Sequence, residues 1–333
     1  MARFSSLLLA AAALLSVSRP TTTHGWPTSA PTKKEALPIF YFHGVTDNAS
    51  TGRNIQANLT AEGRLFTPLT FCESLCSLQA LPNQIPLAIA QIRSIVINDS
   101  RYNNGYVFVT HSQGGGIARG VIEEMDDHKV KAFVSLAGTV NGGFYGPQPE
   151  DLVPLYVYGN YLGQLQVPAT IFNFSSYSPA DFNGKLQRDI VELAGNNPAL
   201  QDQFSAFNLI RSPVFDQFVQ SNPYFPKLNN LNICKTGNFQ CVLDKLRRRT
   251  NFLKLTEVHF FGSSSDDVVA PWQQAILGSY SEVKSSEEIQ TKFASLKVLD
   301  AKETREYTSD SSKRNKRIIT ATPSRLNPST EAW

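Results

Sequence analysis

The serine at position 112 has the surroundings that a nucleophilic hydroxyl requires. It lies in the segment 110–114, which reads THSQG, between an apolar run and a segment of helical character. A Gly-x-Ser-x-Gly turn between a strand and a helix raises the hydroxyl clear of a sheet, because small flanking residues permit a sharp, strained backbone. Here Thr110, still fairly small, replaces the first glycine, and Gly114 leaves space on the helix side. The pattern favours a nucleophile at Ser112 over an ordinary serine–glycine loop.

A second segment supplies groups that can stabilise the negative charge formed when such a serine attacks a carbonyl. The run 43–45, His-Gly-Val, closes an apolar stretch that begins at Ile39. We expect the backbone amides of Val45 and Gln113 to form an oxyanion hole, which needs fixed N–H donors about 2.7–3.1 Å from the oxygen. His43 itself is interpreted as structural, with its side chain turned under the loop.

Asp266 is the expected acid that would orient a catalytic base. It follows an apolar run at 258–261, and nucleophile-elbow hydrolases keep this carboxylate in a loop after a late strand, in the chain order Ser, Asp, His. The two valines that follow at 268 and 269 favour Asp266 over Asp267. A turn capped by its own Asp side chain is the alternative interpretation.

The histidine expected after this acid is absent. The chain has five histidines: His24, His43, His111, His128 and His259. All of them precede Asp266, and none is a convincing base, since His111 should point away from the serine hydroxyl on the strained turn. Without an imidazole within hydrogen-bond reach the hydroxyl stays weakly nucleophilic, and the loss of one triad member lowers the rate by several powers of ten.

The elements that would hold these residues alternate between strands and helices. Apolar runs predict buried strands at 39–42, 106–110, 131–136 and 258–261, and helical spacing of apolar residues predicts a crossover helix at 84–98. This alternation predicts an α/β fold with a mostly parallel, doubly wound sheet.

A long stretch at about 140–254 exceeds an ordinary strand-to-helix connection and predicts an inserted helical cap. Its aromatic residues can line an apolar groove or simply form the core of the cap. They include Tyr145, Tyr156, Tyr158, Tyr161, Phe172, Phe174, Phe204 and Phe207.

The ends of the chain predict targeting and disorder. Arg3 precedes an apolar run at 7–15 and small residues up to 18, which is a signal-peptide pattern too short to span a bilayer. We therefore expect a signal peptide at 1–18, a leader at 19–36, a folded domain at 37–309 and a disordered basic tail at 310–333. The secretory pathway follows from the signal, with no transmembrane segment expected. The formal net charge is +3, and the basic residues form no stripe with aromatic residues between them. No nucleic-acid partner is therefore expected.

The four cysteines fall into two close pairs, and an oxidising compartment predicts the disulfides Cys72–Cys76 and Cys234–Cys241. Four cysteines allow three connectivities, and a zinc site is the rival interpretation. No His or acidic cluster lies beside either pair, so no metal is expected, and no cofactor either. Four sequons offer candidate glycosylation sites at Asn48, Asn58, Asn98 and Asn173.

Taken together, these segments resemble the palmitoyl-protein thioesterases, which are α/β-hydrolases, and are most similar to their second, broader-specificity lysosomal type. The matching segments are 38–47, 107–119, 133–146 and 261–280, and they extend over most of residues 38–308. The resemblance implies the α/β-hydrolase fold, residence in the lysosome or outside the cell, and hydrolysis of thioesters of long acyl chains. S-acylated proteins and peptides, or acyl-CoA, would be the substrates. It also implies Ser112 as nucleophile and Asp266 as acid.

The resemblance fades near residues 307–310, where the family's last strand and its histidine loop should begin. We therefore expect the last strand to be missing or disordered. A shifted reading frame, an unspliced intron or a truncated gene model would explain the loss, and a pseudoenzyme is the second explanation. A lipase or carboxylesterase, and a secreted non-catalytic module that binds acyl groups or proteins, are the alternative functions.

Overall fold

The computed structural model describes residues 36–304 and the backbone of 318–321. Its main sheet contains the strands β1 (Ile39–Phe42), β2 (Phe66–Pro68), β3 (Tyr106–His111), β4 (Val130–Leu136), β5 (Glu257–Phe261) and β8 (Ile318–Ala321). They stand in the order β2-β1-β3-β4-β5-β8, and every neighbouring pair is parallel. A separate antiparallel pair joins β6 (Ser279–Tyr280) to β7 (Val298–Leu299).

Helices separate these strands along the chain. They are α1 (Arg53–Ala61), α2 (Leu81–Asn98), α3 (Gln113–Glu124), α4 (Leu152–Val157), α5 (Gly163–Gln166), α6 (Lys185–Asn196), α7 (Pro198–Gln203), α8 (Ser205–Asn208), α9 (Phe215–Ser221), α10 (Phe225–Leu228), α11 (Phe239–Leu253) and α12 (Ser286–Thr291). A π-helical turn, Tyr158–Leu162, joins α4 to α5. All helices from α4 to α11 lie between β4 and β5 in the sequence.

The core lies on both faces of the sheet, as its uninterrupted apolar strands require. Phe40 and Phe108 point to the face covered by α2 and α3. Tyr41 and Val109 point to the opposite face, which α1 covers through Ile55 and its neighbours. The predicted doubly wound α/β sheet is therefore confirmed, and β1, β3, β4 and β5 begin and end within one residue of the predicted bounds.

The last strand corrects one expectation. Residues 318–321 were predicted to lie in a disordered tail, yet β8 pairs in parallel with β5, with Ile318 opposite Val258. The strand consists of Ile, Ile, Thr and Ala, and β-branched residues favour extended structure. A four-residue run inside a basic, polar stretch is too short for its pattern to predict a strand. The predicted signal peptide, the leader with His24 and the rest of the tail lie outside the described residues.

Two covalent links stabilise the loops. Cys72 is bonded to Cys76 and Cys234 to Cys241, as predicted. Among the helices of the described part of the chain, none has both the length and the apolar character needed to cross a bilayer.

Candidate active site

Ser112 occupies a strained turn between β3 and α3. Its dihedral angles are φ 54° and ψ −128°, a region that costs a residue with a side chain about 1–3 kcal/mol. Hydrogen bonds hold the turn in place. The Ser112 N–H donates to the carbonyl oxygen of Leu136 at 3.2 Å, and the Ser112 carbonyl accepts from the amides of Gly115 and Thr139 at 3.0 Å each. A strained residue held by this network is the geometry of a nucleophile elbow.

Small residues around the turn allow the close packing that the strain requires. A Cβ atom at position 114 would lie 2.6 Å from the carbonyl oxygens of Phe42 and His43, so only glycine fits there. Thr110 stands where the usual pattern has its first glycine. Its side chain is buried in the sheet, and its hydroxyl donates to the carbonyl oxygen of Val134 at 3.3 Å. The departure from the usual pattern is therefore accommodated.

The residues predicted to donate the oxyanion hydrogen bonds lie at the same place. Val45 and Gln113 line one cavity together with Ser112. Because Gln113 is the first residue of α3, its N–H has no acceptor inside the helix and stands at the positive end of the helix dipole. The end of β1 is close to the serine as well, since a Cβ atom at Gly44 would lie 3.2 Å from the Cβ atom of Ser112.

His43 supports this loop from below. Its Nε2 atom lies 3.0 Å from the carbonyl oxygen of Phe71 and its Nδ1 atom 2.9 Å from that of Gly44. The imidazole also stacks on the Phe71 ring, with centroids 5.3 Å apart. Both ring nitrogens therefore face backbone oxygens, and the side chain has a structural place.

Asp266 lies in a turn whose following residues reach the cavity. Its Oδ1 atom accepts from the amides of Val268 at 3.0 Å and Val269 at 2.8 Å, and both valines line the cavity with Ser112. Burial raises the pKa of the Asp266 carboxyl to about 6. The hydrogen bonds from the two amides lower this pKa, and the negative charge of Asp267 raises it further. A cationic imidazolium beside it would lower this pKa again. The same hydrogen bonds also describe the self-capped turn that the sequence left as the alternative.

The other described histidines are held elsewhere. The Nε2 atom of His128 lies 3.0 Å from the carbonyl oxygen of Asn251, and burial lowers its pKa to about 4. The Nε2 atom of His259 lies 3.0 Å from Glu257 Oε2. His111 ends β3 next to the serine, and burial lowers its pKa. Among the described residues that line the cavity with Ser112 there is no histidine.

The cavity in front of Ser112 is mainly apolar and comprises about 880 Å³ of empty space, including the part that opens to solvent. Of the aromatic residues singled out in the sequence, Tyr145, Tyr158 and Phe174 line it. The others have different places. Phe172, Phe204 and Phe207 belong to the core of the cap, whereas Tyr156 and Tyr161 are exposed.

Polar atoms on the cavity wall were not predicted. Within the described part of the chain, four buried atoms on this wall have no hydrogen-bond partner: Gln113 Oε1, Thr139 Oγ1, Gln187 Nε2 and Gln274 Oε1. Buried polar groups are normally satisfied, so these four atoms are exceptions among the residues that line the cavity. No sequence pattern marks them, because they come together only through the fold.

Comparison with known families agrees with this geometry. The model of the palmitoyl protein thioesterase family matches residues 38–312, which is more than half of the chain. The chain belongs to the palmitoyl protein thioesterase family. Its parallel sheet, with a strained serine turn between β3 and α3, is the α/β-hydrolase fold of this family.

Lysosomal thioesterases are relatives of this family member. The PPT2-B protein of Xenopus laevis is 26% identical over 248 residues, which cover 74% of this chain and 72% of the relative. The human lysosomal thioesterase PPT2 is 23% identical over 254 residues, covering 75% and 70%. The PPT2 homolog of Drosophila melanogaster is 24% identical over 249 residues, covering 74% and 72%.

Solved structures show a weaker likeness to this thioesterase-family chain. The mature lipase BlEst2 of Bacillus licheniformis has 14% identity and a TM-score of 0.35, covering 72% of this chain and 70% of its own. The monoacylglycerol lipase of Paleococcus ferrophilus has 13% identity and a TM-score of 0.36, covering 86% of each chain. Likeness at this level bears on neither substrate nor mechanism.

Proposed function

We propose that this family member is a serine thioesterase that removes long acyl chains from cysteine thiols, in S-acylated proteins and peptides or in acyl-CoA. One observation carries the proposal: the strained Ser112 turn opens onto a largely apolar cavity in the cap. Each methylene group that leaves water for such a cavity contributes about 0.8 kcal/mol, so a long acyl chain can provide much of the binding free energy.

The proposed reaction has two steps. The Ser112 hydroxyl oxygen attacks the thioester carbonyl carbon, and the amides of Val45 and Gln113 stabilise the resulting oxyanion. The serine proton passes to water, the carbon–sulfur bond then breaks, and the sulfur leaves as the thiolate, which is protonated in solution. Water next hydrolyses the acyl-serine ester, which releases the fatty acid and restores the hydroxyl.

The chain has no histidine after Asp266 to carry that proton. Loss of a triad member leaves only the rate that the oxyanion hole and binding supply, which is several powers of ten lower. A thioester suits such a site better than an oxygen ester. A thiol with a pKa of about 8.5 leaves readily as the thiolate, whereas an alkoxide needs a general acid.

A fluorophosphonate probe tests the nucleophile. We expect slow labelling of the wild-type protein and none of Ser112→Ala. A panel of palmitoyl-CoA, an S-palmitoylated peptide and an alkyl palmitate then tests the substrate class, with faster turnover expected for the two thioesters. Turnover of the oxygen ester alone would instead identify a lipase or carboxylesterase.

The absent histidine favours a second candidate, a non-catalytic protein that binds acyl chains on a hydrolase scaffold. In that case the probe would not label Ser112, while a fluorescent fatty acid would still bind in the cavity. Replacement of the cavity residue Leu155 by Asp should abolish such binding, because a charged group would then be buried in an apolar wall.

We also propose that the protein resides in the secretory pathway, in the lysosome or outside the cell. The predicted signal at 1–18 and the two disulfides support this location, and the relatives named above are called lysosomal. Asn58, Asn98 and Asn173 are exposed, whereas Asn48 is half-buried. An endoglycosidase should therefore increase the electrophoretic mobility of the secreted protein, and Asn→Gln variants would identify the modified sites.

A further inference from the structure

One helix of the cap has side chains on the cavity and other side chains exposed to solvent. Residues 152–166, which we call the cap helix, consist of α4, the π turn and α5. Tyr158 and Gly163, at the two junctions, keep right-handed helical dihedral angles, so the helix is continuous. Its inner side chains line the cavity, and they include Leu155, Leu162 and Gln166.

The outer face of the cap helix is apolar and exposed. Its apolar residues are Leu152 (54% exposed), Val153 (57%), Tyr156 (52%), Tyr161 (63%) and Leu165 (63%). Asn160 is exposed on the same helix, and its side-chain amide donates to the carbonyl oxygen of Tyr156 at 2.8 Å. The π turn has more residues per turn than an α-helix, which rotates Tyr161 and Leu165 back towards the side of Leu152 and Tyr156. Single exposed apolar residues are ordinary, but a contiguous apolar patch marks a surface that binds something.

The composition of this region indicates what it binds. Residues 152–180 contain no Asp, Glu, Lys or Arg. An apolar face without charges can be inserted below lipid headgroups with a small free-energy cost. Tyrosine suits that boundary because its ring is apolar while its hydroxyl remains hydrated. Both aromatic residues of the outer face are tyrosines, at 156 and 161. These features match a neutral lipid surface.

We propose that the outer face of the cap helix docks onto a lipid bilayer, so that acyl chains pass from the membrane into the cavity. The inference rests on the proposed function, since it assumes an acyl substrate. An acyl chain that leaves the membrane through water exposes its methylene groups, and each exposed group lowers the equilibrium constant for transfer into water about fourfold. A helix whose two faces contact membrane and cavity shortens that passage.

A second exposed apolar stripe offers a matched control. It lies on α11 and includes Leu243 (58% exposed) and Leu246 (53%). This helix packs against α3, where the side-chain amide of Asn251 donates to the carbonyl oxygen of Glu123 at 3.0 Å. Leu243 and Leu246 do not line the cavity, so this pair resembles Leu152 and Leu165 in type and exposure but not in position.

Vesicle flotation provides the test. The mature secreted protein is used with Ser112→Ala, which prevents hydrolysis, and Ser175→Ala, which removes the sequon beside the cap and keeps the Asn173 side chain. On phosphatidylcholine vesicles we expect binding that added salt leaves unchanged. The double variant Leu152→Ser/Leu165→Ser should bind about tenfold or more weakly, whereas Leu243→Ser/Leu246→Ser should bind as well as its parent.

Several outcomes would overturn the proposal: undiminished binding by the cap-helix variant, an equal loss in the α11 variant, or a parent that forms dimers through this face and ignores vesicles. Light scattering reports that last case. Hydrolysis of palmitoyl-CoA without vesicles, by proteins that retain Ser112, separates the two proposals. Vesicle binding without any thioester turnover supports docking and contradicts the thioesterase, whereas turnover without vesicle binding does the reverse.

Discussion

Gly44 packs directly against Ser112: a Cβ atom at position 44 would stand 3.2 Å from the serine Cβ and 3.3 Å from Asp47 Oδ2. The contact joins the end of β1 to the elbow after β3. It thereby sets how far the Val45 amide lies from the hydroxyl that it is proposed to assist.

Gly44→Ala tests this relationship. The added methyl is tighter than ordinary van der Waals contact, so the loop must shift by a few tenths of an ångström. We expect the rate of fluorophosphonate labelling to fall about tenfold, since one oxyanion donor contributes roughly 2.7–4 kcal/mol and a partial displacement loses part of that. The control is Gly159→Ala, whose methyl would meet Phe182 at an ordinary 3.4 Å. Equal labelling by both variants would argue against the Val45 amide.

The strain at Ser112 should appear in stability. At φ 54° and ψ −128° the backbone of glycine is unstrained and that of alanine is strained. The free energy of unfolding of Ser112→Gly should therefore be about 1–3 kcal/mol larger than that of Ser112→Ala. Glycine's greater freedom in the unfolded chain offsets up to about 1 kcal/mol of this gain. Urea denaturation of the two variants measures the difference. If Ser112→Ala is as stable as Ser112→Gly, the turn stores no strain.

The raised pKa of Asp266 predicts that this carboxyl destabilises the folded state at neutral pH. Its carboxyl has a pKa of about 6 in the folded protein against an ordinary value of 3.8, so the folded state holds the proton more tightly. The protonated Asp266 carboxyl contributes its full stabilisation at pH values below its pKa in the unfolded chain, and this contribution is lost as pH rises through about 6. Asp266→Asn, which can still accept both amides, should therefore match the wild type at low pH and be about 1–3 kcal/mol more stable at neutral pH.

Denaturant titrations across this pH window check the prediction. Asp267→Asn is the comparison variant, because it leaves the two valine amides on Asp266. It removes only the smaller of the two causes that raise the Asp266 pKa, so most of the pH dependence should remain. A constant difference between Asp266→Asn and wild type at every pH would show that the Asp266 carboxyl ionises normally.

The start of the cap helix depends on a buried pair. The Tyr280 hydroxyl donates to Asp151 Oδ2 at 2.6 Å, and the Gly146 amide donates to the same oxygen at 2.9 Å. Burial raises the pKa of Asp151 to about 6. Tyr280→Phe leaves that oxygen one donor short and should destabilise the fold by about 1–3 kcal/mol. Thermal unfolding measures the loss, and the exposed Tyr156→Phe should leave the melting temperature unchanged.

Local features of the sequence predicted much of the site. The Ser112 elbow is a strand, a turn and a helix within a few residues, so its pattern is contained in one segment. The disulfides join cysteines only 4 and 7 residues apart, which limits how they can pair. The helix predicted at 84–98 begins earlier, at Leu81, because Pro82 is tolerated in the first turn of a helix.

The sequence by itself determined the alternation of buried strands and helices, the strand, turn and helix around Ser112, the closeness of the cysteines within each pair and the absence of a histidine after Asp266. Each of these depends on neighbouring residues or on composition alone. Only the tertiary structure decided the pairing of β8 with β5, the contact of Gly44 with Ser112, the place of Gln187 among the residues that line the cavity, and which side of the cap helix meets the cavity. Those features join segments far apart in the chain, and a local pattern carries no information about which distant surface it will meet.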